Sequence, residues 1–342
     1  MSSNQPSGRP RRPTMMDVAA RAGVSQATVS LVLNNSPGAK LSDGTRRRVR
    51  QAADDLGYRL VRRPPRQSGT RRSVIAFVAD VIASDPWMAQ AFEGAREKAL
   101  EFGINVYLAV SNSDAEMETG IVSQMDKQPL LGIIYGTILT RRVEPPTEIY
   151  RHPTVLLNCY DTPRKLHSVV PGDLLGGRTA TQHLIDAGRR RIAYINGQAG
   201  VDGARDRLKG YKQALASNDI PFDKDLVRPG NWETSSGYEH TKALLQLASL
   251  PDAIFCANDL MALGCYDALH EANVRIPEDI AVIGFDDRDL AQQTHPPLTT
   301  LILPHYEMGA IAAEILIEMA GGHNTVPMQI KVECPIVERE SV

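Results

Sequence analysis

The sequence predicts an all-α headpiece followed by a two-lobed α/β body. Three observations carry this reading. Between residues 14 and 57, three short stretches repeat apolar residues at helical spacing and are separated by glycine and capping residues. From Ser73 onward, short apolar runs alternate with amphipathic helical patterns, the texture of parallel sheets covered on both faces. The charge is also lopsided. Residues 1–72 carry 15 of the 38 Lys and Arg but only 4 of the 40 Asp and Glu, so a net +11 sits on one end and -13 on the rest.

In the first helical stretch, Thr14 is placed to cap, and Asp17 suits the positive first turn. Val18, Ala19 and Ala22 follow at helical spacing, and Gly23 allows a tight turn. Ser25 opens a second helix with Val29, Val32 and Leu33 inward. Ser42 caps a third, whose apolar face is Val49, Ala52, Ala53 and Leu56 and whose stop is Gly57. Two helices at a sharp angle, completed by a third, form a helix-turn-helix module. Its second helix is expected in the DNA major groove, presenting Ser25, Gln26, Ala27, Thr28, Ser30 and Leu31. Gln26 can pair bidentately with adenine, and Ala27 and Thr28 can touch a thymine methyl. An ordinary three-helix bundle is the alternative; the capped turns and the basic charge around them favour DNA. Arg46, Arg47, Arg48 and Arg50 are expected at phosphates, which fix register without reading sequence.

This stretch resembles the DNA-binding headpiece of the lactose-repressor family of bacterial transcription regulators. The matching residues are Asp17-Val18-Ala19, Ala22-Gly23-Val24-Ser25, Ala27-Thr28-Val29-Ser30 and Val32-Leu33-Asn34, then Leu41-Ser42, Thr45-Arg46, Val49 and Leu56-Gly57-Tyr58. Thr14, Asn34 and Tyr58 join the expected DNA contacts on that basis. Leu31 stands where many members have arginine, which implies different preferred bases. The segment after Tyr58 departs from the family. Pro64-Pro65 replaces the Ala-Arg of a short hinge helix, and Gln67 replaces the leucine that wedges into the minor groove. Arg62, Arg63 and Arg66 are instead expected to follow the backbone or minor groove in an extended form.

The length suggests two or three domains, and the apolar and charged fractions are those of a soluble globular protein. No apolar run is long enough to span a bilayer, and the first twelve residues lack a signal-peptide core, so a bacterial cytoplasmic, nucleoid-associated location and no membrane partner are expected. The four cysteines, Cys159, Cys256, Cys265 and Cys334, read as reduced core residues. The eight histidines show no metal-ligand spacing, and no metal or cofactor is expected. Dinucleotide, phosphate-loop and nucleophile-elbow motifs are missing, and Gly197, Gly200 and Gly203 read as a flexible loop. No catalytic activity is expected.

The body's apolar runs are Val74–Ala79, Val106–Val110, Gly132–Ile134, Val155–Leu157, Ile192–Ile195, Ile254–Ala257 and Ile280–Phe285. Helical patterns lie between them at 87–102, 177–187, 206–217, 236–248 and 261–272. These exceed one comfortable sheet, so two α/β lobes follow, with ligands beyond the carboxyl ends of the strands. The family resemblance continues through Asp186-Ala187-Gly188-Arg189-Arg190-Arg191, Arg207-Leu208-Lys209-Gly210-Tyr211, Ala257-Asn258-Asp259-Leu260-Met261-Ala262 and Pro297-Leu298-Thr299-Thr300. It implies a body like the type I periplasmic sugar-binding proteins, with three chain crossings between lobes near 190, 301 and 326. The expected division is a basic tail over 1–13, the headpiece over 14–58, a hinge over 59–72 and the body over 73–342. One lobe is expected to hold 73–190 and 302–326, the other 191–301 and 327–342.

Residues at strand ends give the expected effector site. Asp80 and Asp85 offer acceptors for hydroxyls, and Trp87 offers a flat surface for a sugar face. Asp286 follows a strand in the same way, and Asn158 completes the set. The resemblance adds Arg207, as the arginine that forks onto the ligand, Asp259 of the Asn-Asp pair, and the cleft tryptophan Trp232. Each has a plainer role open to it: either tryptophan could be core, Asp259 could cap a helix, and Arg207 could pair with a core carboxylate. Asp173 lies in a Pro-Gly-Asp stretch where the family has Asp-Asn and is left outside the set. The whole implies a homodimeric repressor on a near-palindromic double-stranded operator, switched by a small effector, most simply a sugar. A non-sugar effector or corepressor, and a sugar-binding transport protein, are the alternatives.

Overall fold

The structure, a computed structural model, describes residues 15–24, 26–33, 43–56, 74–83, 86–125, 127–322 and 326–342, with residues 15–17, 26, 27, 30, 31 and 43 described by their backbone alone. The chain divides into two units, residues 1–66 and 67–342.

The first unit holds α1 (Met15–Ala22), α2 (Gln26–Leu33) and α3 (Asp43–Asp55). Gly23 adopts φ +64°, and the Val24 N–H donates back to the Ala19 carbonyl at 3.1 Å, closing α1 as the glycine predicts. Val18, Ala19, Ala22, Val29, Val32, Val49, Ala52 and Ala53 form one buried cluster, so all three helices share a core of small residues.

The second unit begins with β1 (Val74–Ala79), α4 (Trp87–Leu100), β2 (Asn105–Val110), α5 (Ala115–Met125), β3 (Leu130–Val143), β4 (Thr154–Asp161) and β5 (His167–Pro171). It continues through α6 (Asp173–Asp186), β6 (Ile192–Ile195), α7 (Asp202–Ser217), β7 (Val227–Arg228), α8 (Thr234–Leu244), β8 (Ala253–Cys256), α9 (Asp259–Glu271) and β9 (Ala281–Ile283). It ends with β10 (Thr300–Leu301), α10 (His305–Ala320), β11 (Gln329–Val332) and β12 (Ile336–Val337). Two parallel sheets result, one in the order β11-β5-β4-β3-β1-β2 and one in the order β7-β6-β8-β9, beside a small antiparallel β10–β12 pair. On the first sheet, α4 and α10 bury Met88, Ala91, Ala95, Met308, Ala312 and Leu316 against one face, while Val122 of α5 covers the other. The core of the second lobe is aromatic, with Tyr194 stacked on Tyr211 and Phe255 tilted against Tyr194. All four cysteines are buried and unpaired.

The chain passes between sheets at 172, at 302–304 and at 333–335. The first and last of these differ from the expected 190 and 326. α6 belongs to the second lobe, because Ala180, Leu184 and Ile185 pack into the cluster of Tyr194 and Tyr211. β11 belongs to the first, because it pairs in parallel with β5 from Gln329 to Val332. Among the described residues, no helix is long and apolar enough to cross a membrane.

Candidate functional site

The residues of the first unit expected at DNA are only partly visible. Gln26, Ala27, Ser30 and Leu31 lie in α2, with side chains outside the description. Thr28, also in α2, and Arg46, in α3, are half-buried, while Arg47, Arg48 and Arg50 are exposed along α3. Thr14, Ser25, Asn34, Ser42, Gly57, Tyr58, Arg62, Arg63, Pro64, Pro65, Arg66 and Gln67 lie outside the described residues, as does Asp85 in the body.

In the body, a cavity of about 290 Å³ lies between the lobes. Of the sequence-predicted set it brings together Trp87, Asn158, Arg207, Trp232 and Asp286. Three of these sit at positive φ without being glycine: Asn158 at 56°, Trp232 at 73° and Asp286 at 119°. Such backbone costs of order 1–3 kcal/mol per residue and collects at ligand sites, where surrounding bonds hold it in place.

Those bonds are visible. The Asn158 amide donates to the carbonyls of Thr137 and Ile138 at 2.9 and 3.0 Å and accepts from the Thr140 hydroxyl at 2.6 Å. They brace an irregularity in β3, where the register with β4 shifts between Gly136 and Arg141. Such a bulge re-aims side chains beside a site, and here Ile138, Leu139 and Thr140 line the cavity. Asp80 serves the same bulge. Its carboxylate accepts from the N–H of Ile138 at 2.9 Å and of Val81 at 2.8 Å and pairs with Arg141 at 3.1 Å. Burial raises its pKa against those donors. Asp80 does not line the cavity and acts behind it.

The second lobe repeats this plan. Asn258, not Asp259, caps α9, accepting from the Met261 N–H at 2.9 Å. Its amide donates to the Trp232 carbonyl at 2.9 Å, fixing that strained residue. Asp259 is fully buried and accepts from the Thr300 hydroxyl at 2.6 Å and the Arg288 N–H at 2.8 Å. Burial, with Asp286 adding to it, holds its carboxyl well above the usual range. It too lies outside the cavity wall, so its place is to hold the 286–288 turn. Gly197, expected in a mobile loop, instead meets the Trp232 ring, and a Cβ there would lie 1.9 Å from it.

Arg207 does two things at once. Its Nε donates to the Asp173 carboxylate at 2.8 Å, and its Nη1 donates to the Ala257 carbonyl. The guanidinium lies 3.6 Å over the Phe285 ring and 5.6 Å from that of Trp232. Both Arg207 and Asp173 are buried. The core-carboxylate role and the cavity wall are therefore one arrangement, and Asp173 is part of it.

Sequence reasoning missed Asn231, Glu233, Arg288 and His305, all on the wall. Arg288 lies 5.0 Å from the Trp87 ring. His305, the first residue of α10, stacks on Trp87 at 5.7 Å and 27° and is 1% exposed. Burial, helped by the Arg207 charge, pushes its pKa down to about 3, so it is neutral. Both its ring nitrogens and the Trp232 Nε1 lack a hydrogen-bond partner among the described residues. Nothing in the run Leu303-Pro304-His305-Tyr306 marks that histidine in advance. Across the cleft, the Tyr160 hydroxyl of β4 donates to the carboxylate of Asp202 at the start of α7. The wall thus combines the two tryptophans, charges of both signs and buried nitrogens without a partner among the described residues, which suits a small polar ligand with apolar faces.

Comparison with known proteins agrees at both ends of the chain. Residues 14–59 match the lacI family of bacterial regulatory proteins, and residues 181–342 match the periplasmic binding protein-like domain. The transcriptional regulator CelR of Thermobifida fusca is 34% identical over 97% of this chain and 99% of its own. The ribose operon repressor of Escherichia coli K12 is 31% identical over 96% and 99%. A structure of the CelR–cellobiose complex aligns with TM-score 0.68 at 31% identity, covering 97% of this chain and all of that one. A lac repressor dimer bound to operator aligns with TM-score 0.68 at 26% identity, covering 97% and 99%. The chain belongs to the lacI family and is a DNA-binding transcriptional regulator with a helix-turn-helix headpiece and a periplasmic-binding-protein-like body.

Proposed function

We propose that this regulator is a repressor that binds a near-palindromic operator as a homodimer and is released when a sugar occupies the cleft. The observation that carries the sugar is the cavity wall: Trp87 and Trp232, the chain's two tryptophans, border it together with Arg207, Asn231 and Asp286. Flat apolar rings take the C–H faces of a sugar, and the polar groups take its hydroxyls. A relative solved with cellobiose supports the same class. Ser25, Gln26, Ala27, Thr28, Ser30, Leu31 and Asn34 read bases and phosphates from the second helix, with Thr14, Arg46, Tyr58, Arg62, Arg63 and Arg66 adding backbone contacts. The dimer is supported by the free edge of the first sheet. There β2 exposes Tyr107 and Leu108 beside an apolar groove lined by Ile121, Met125 and Leu130. An exposed apolar edge strand is a pairing surface. For a sugar to act, it must bind the released and operator-bound states unequally.

The test is fluorescence anisotropy on DNA from the protein's own upstream region, with salt titrated first and sugars added singly. Affinity that falls steeply with salt and is released by one sugar supports the repressor. Binding that no sugar weakens, or that a sugar strengthens, overturns the induction sign. In the same assay, Gln26→Ala shifts base preference in a selection from random DNA, and an unchanged preference removes Gln26 from the reading set.

A further inference from the structure

We infer that the hydrogen bond between Tyr160 and Asp202 is a latch that holds the two lobes together in the effector-free chain and sets how readily they part. Its two members belong to different lobes. Tyr160 lies near the end of β4 in the first sheet, and Asp202 is the first residue of α7, whose Tyr211 and Ala214 pack into the core of the second lobe. Neither residue lines the cavity, so the latch stands apart from the wall that a ligand would touch. The inference does not depend on what the effector is.

Each half of the latch is fixed within its own lobe. In the first lobe, the buried Asp161 carboxylate accepts from the Lys165 N–H at 2.9 Å, and the Arg164 N–H donates to the Asp161 carbonyl at 3.3 Å, with Arg164 at φ 52°. That turn lays the Arg164 guanidinium 4.0 Å from the centre of the Tyr160 ring, where a cation over the ring face holds it in place. In the second lobe, one carboxylate oxygen of Asp202 accepts from Arg205 at 2.6 Å along α7, and the other accepts from the Tyr160 hydroxyl. Parting the lobes therefore breaks the Tyr160–Asp202 bond and leaves the supporting contacts whole. Little side-chain freedom is lost when it forms again, and a carboxylate acceptor makes it stronger than a neutral bond. Burial and the Asp202 carboxylate raise the Tyr160 pKa, so the phenol keeps its proton to donate. Such a bond shifts a two-state closing equilibrium by about tenfold. An effector that needs closed lobes then meets a cleft already assembled in part of the population.

The chain's two tryptophans report opening without any ligand. Trp87 is carried by α4 of the first lobe, yet it packs into the core cluster of the second and lies 5.0 Å from the Arg288 guanidinium, with 6% of its surface exposed. Parting the lobes uncovers it. Acrylamide quenching of tryptophan fluorescence in the effector-free full chain measures that exposure. Tyr160→Phe keeps the ring beside Arg164 and removes only the hydroxyl, and Asp202→Ala removes the acceptor. Each is expected to raise the quenching constant by about twofold or more. The double variant should go no further than the larger single effect, because both changes remove one bond. Amide exchange in β1 and β6 should stay at the wild-type rate, since each lobe remains folded. Unchanged quenching in the two single variants overturns the latch, as does a rise that adds up in the double variant. Quenching that rises together with faster exchange in β1 and β6 overturns it too, because the fold rather than the cleft would then have loosened.

Discussion

The cleft has two layers, and they treat their polar groups in opposite ways. The layer behind the wall is internally satisfied. Asp80 accepts from Ile138 and Val81, Asp173 from Arg207, and Asp259 from Thr300 and Arg288. The layer that lines the cavity holds nitrogens of Trp232 and His305 that have no partner among the described residues. The difference separates residues that build a site from residues that use it. Carboxylates at strand ends hold turns whose backbone strain the fold must restrain, while the side chains carried beside those turns border the cavity.

The sharpest way to break this division is at Arg207, which belongs to both layers. Arg207→Ala leaves Asp173, only 4% exposed, without its cation. An uncompensated buried charge of this kind costs about 3–5 kcal/mol. Urea unfolding of the body should show a loss of that order. Stability unchanged beside lost sugar binding would assign Arg207 to the wall alone. Asp259→Ala comes next. It strips the acceptor from the Thr300 hydroxyl and the Arg288 N–H, at about 1–3 kcal/mol for each donor left buried. The variant should therefore lose thermal stability as well as its effector response. A variant that loses only the response would place Asp259 at the ligand.

Much of this frame is legible in the sequence, and the exceptions have physical reasons. β1 and β6 lie at the residues their apolar runs predict, because a strand buried on both faces reads as an unbroken run. β11 leaves no such trace: it is an edge strand in which Lys331 is exposed and only Val332 is buried. α6 carries an amphipathic pattern that would suit either sheet. Its lobe is decided by the fit of Ala180 and Leu184 against distant partners, which local spacing does not encode. In the site, the tryptophans and Arg207 declare themselves by residue type and by family likeness. Asp80 reads as a ligand contact because a carboxylate at a strand end looks the same whether it faces a sugar or a backbone N–H, and Asp259 because the family likeness puts the acidic residue of an Asn-Asp pair there. His305 is the reverse case. Its significance is the lack of a partner, a property of the assembled fold rather than of any motif.

That property gives a pH test of smaller size. Unfolded His305 takes up a proton near its ordinary value of about 6.5, whereas the folded protein refuses it until about 3. The unfolded state therefore binds more protons between those limits, and stability falls as pH falls through this window. The limiting slope for one group is about 1.4 kcal/mol per pH unit. Asp259 works in the other direction, since its raised pKa favours the folded state as pH falls. The difference between wild type and His305→Phe isolates the histidine. At neutral pH the variant should match or exceed the wild type in stability, because an unpaired polar ring has been replaced by an apolar one. Its advantage should widen from pH 6.5 downward. A constant gap would mean that the folded imidazole takes up its proton as readily as the unfolded one, so that burial does not keep it neutral.

The smallest effect is expected at Trp232, where only the use of the site should change. Trp232→Phe removes the indole N–H but leaves the backbone carbonyl that Asn258 holds at 2.9 Å. The smaller ring still has Gly197 beneath it, where no Cβ intrudes. Unfolding free energy should therefore stay within about 1 kcal/mol of wild type. Binding of a neutral sugar should weaken by about fivefold, the value of one hydrogen bond near 1 kcal/mol. Titration calorimetry and thermal unfolding of the same preparation measure both quantities. If stability drops by more than binding does, the indole is part of the frame, and the boundary between the two layers moves outward to leave His305 as the open group.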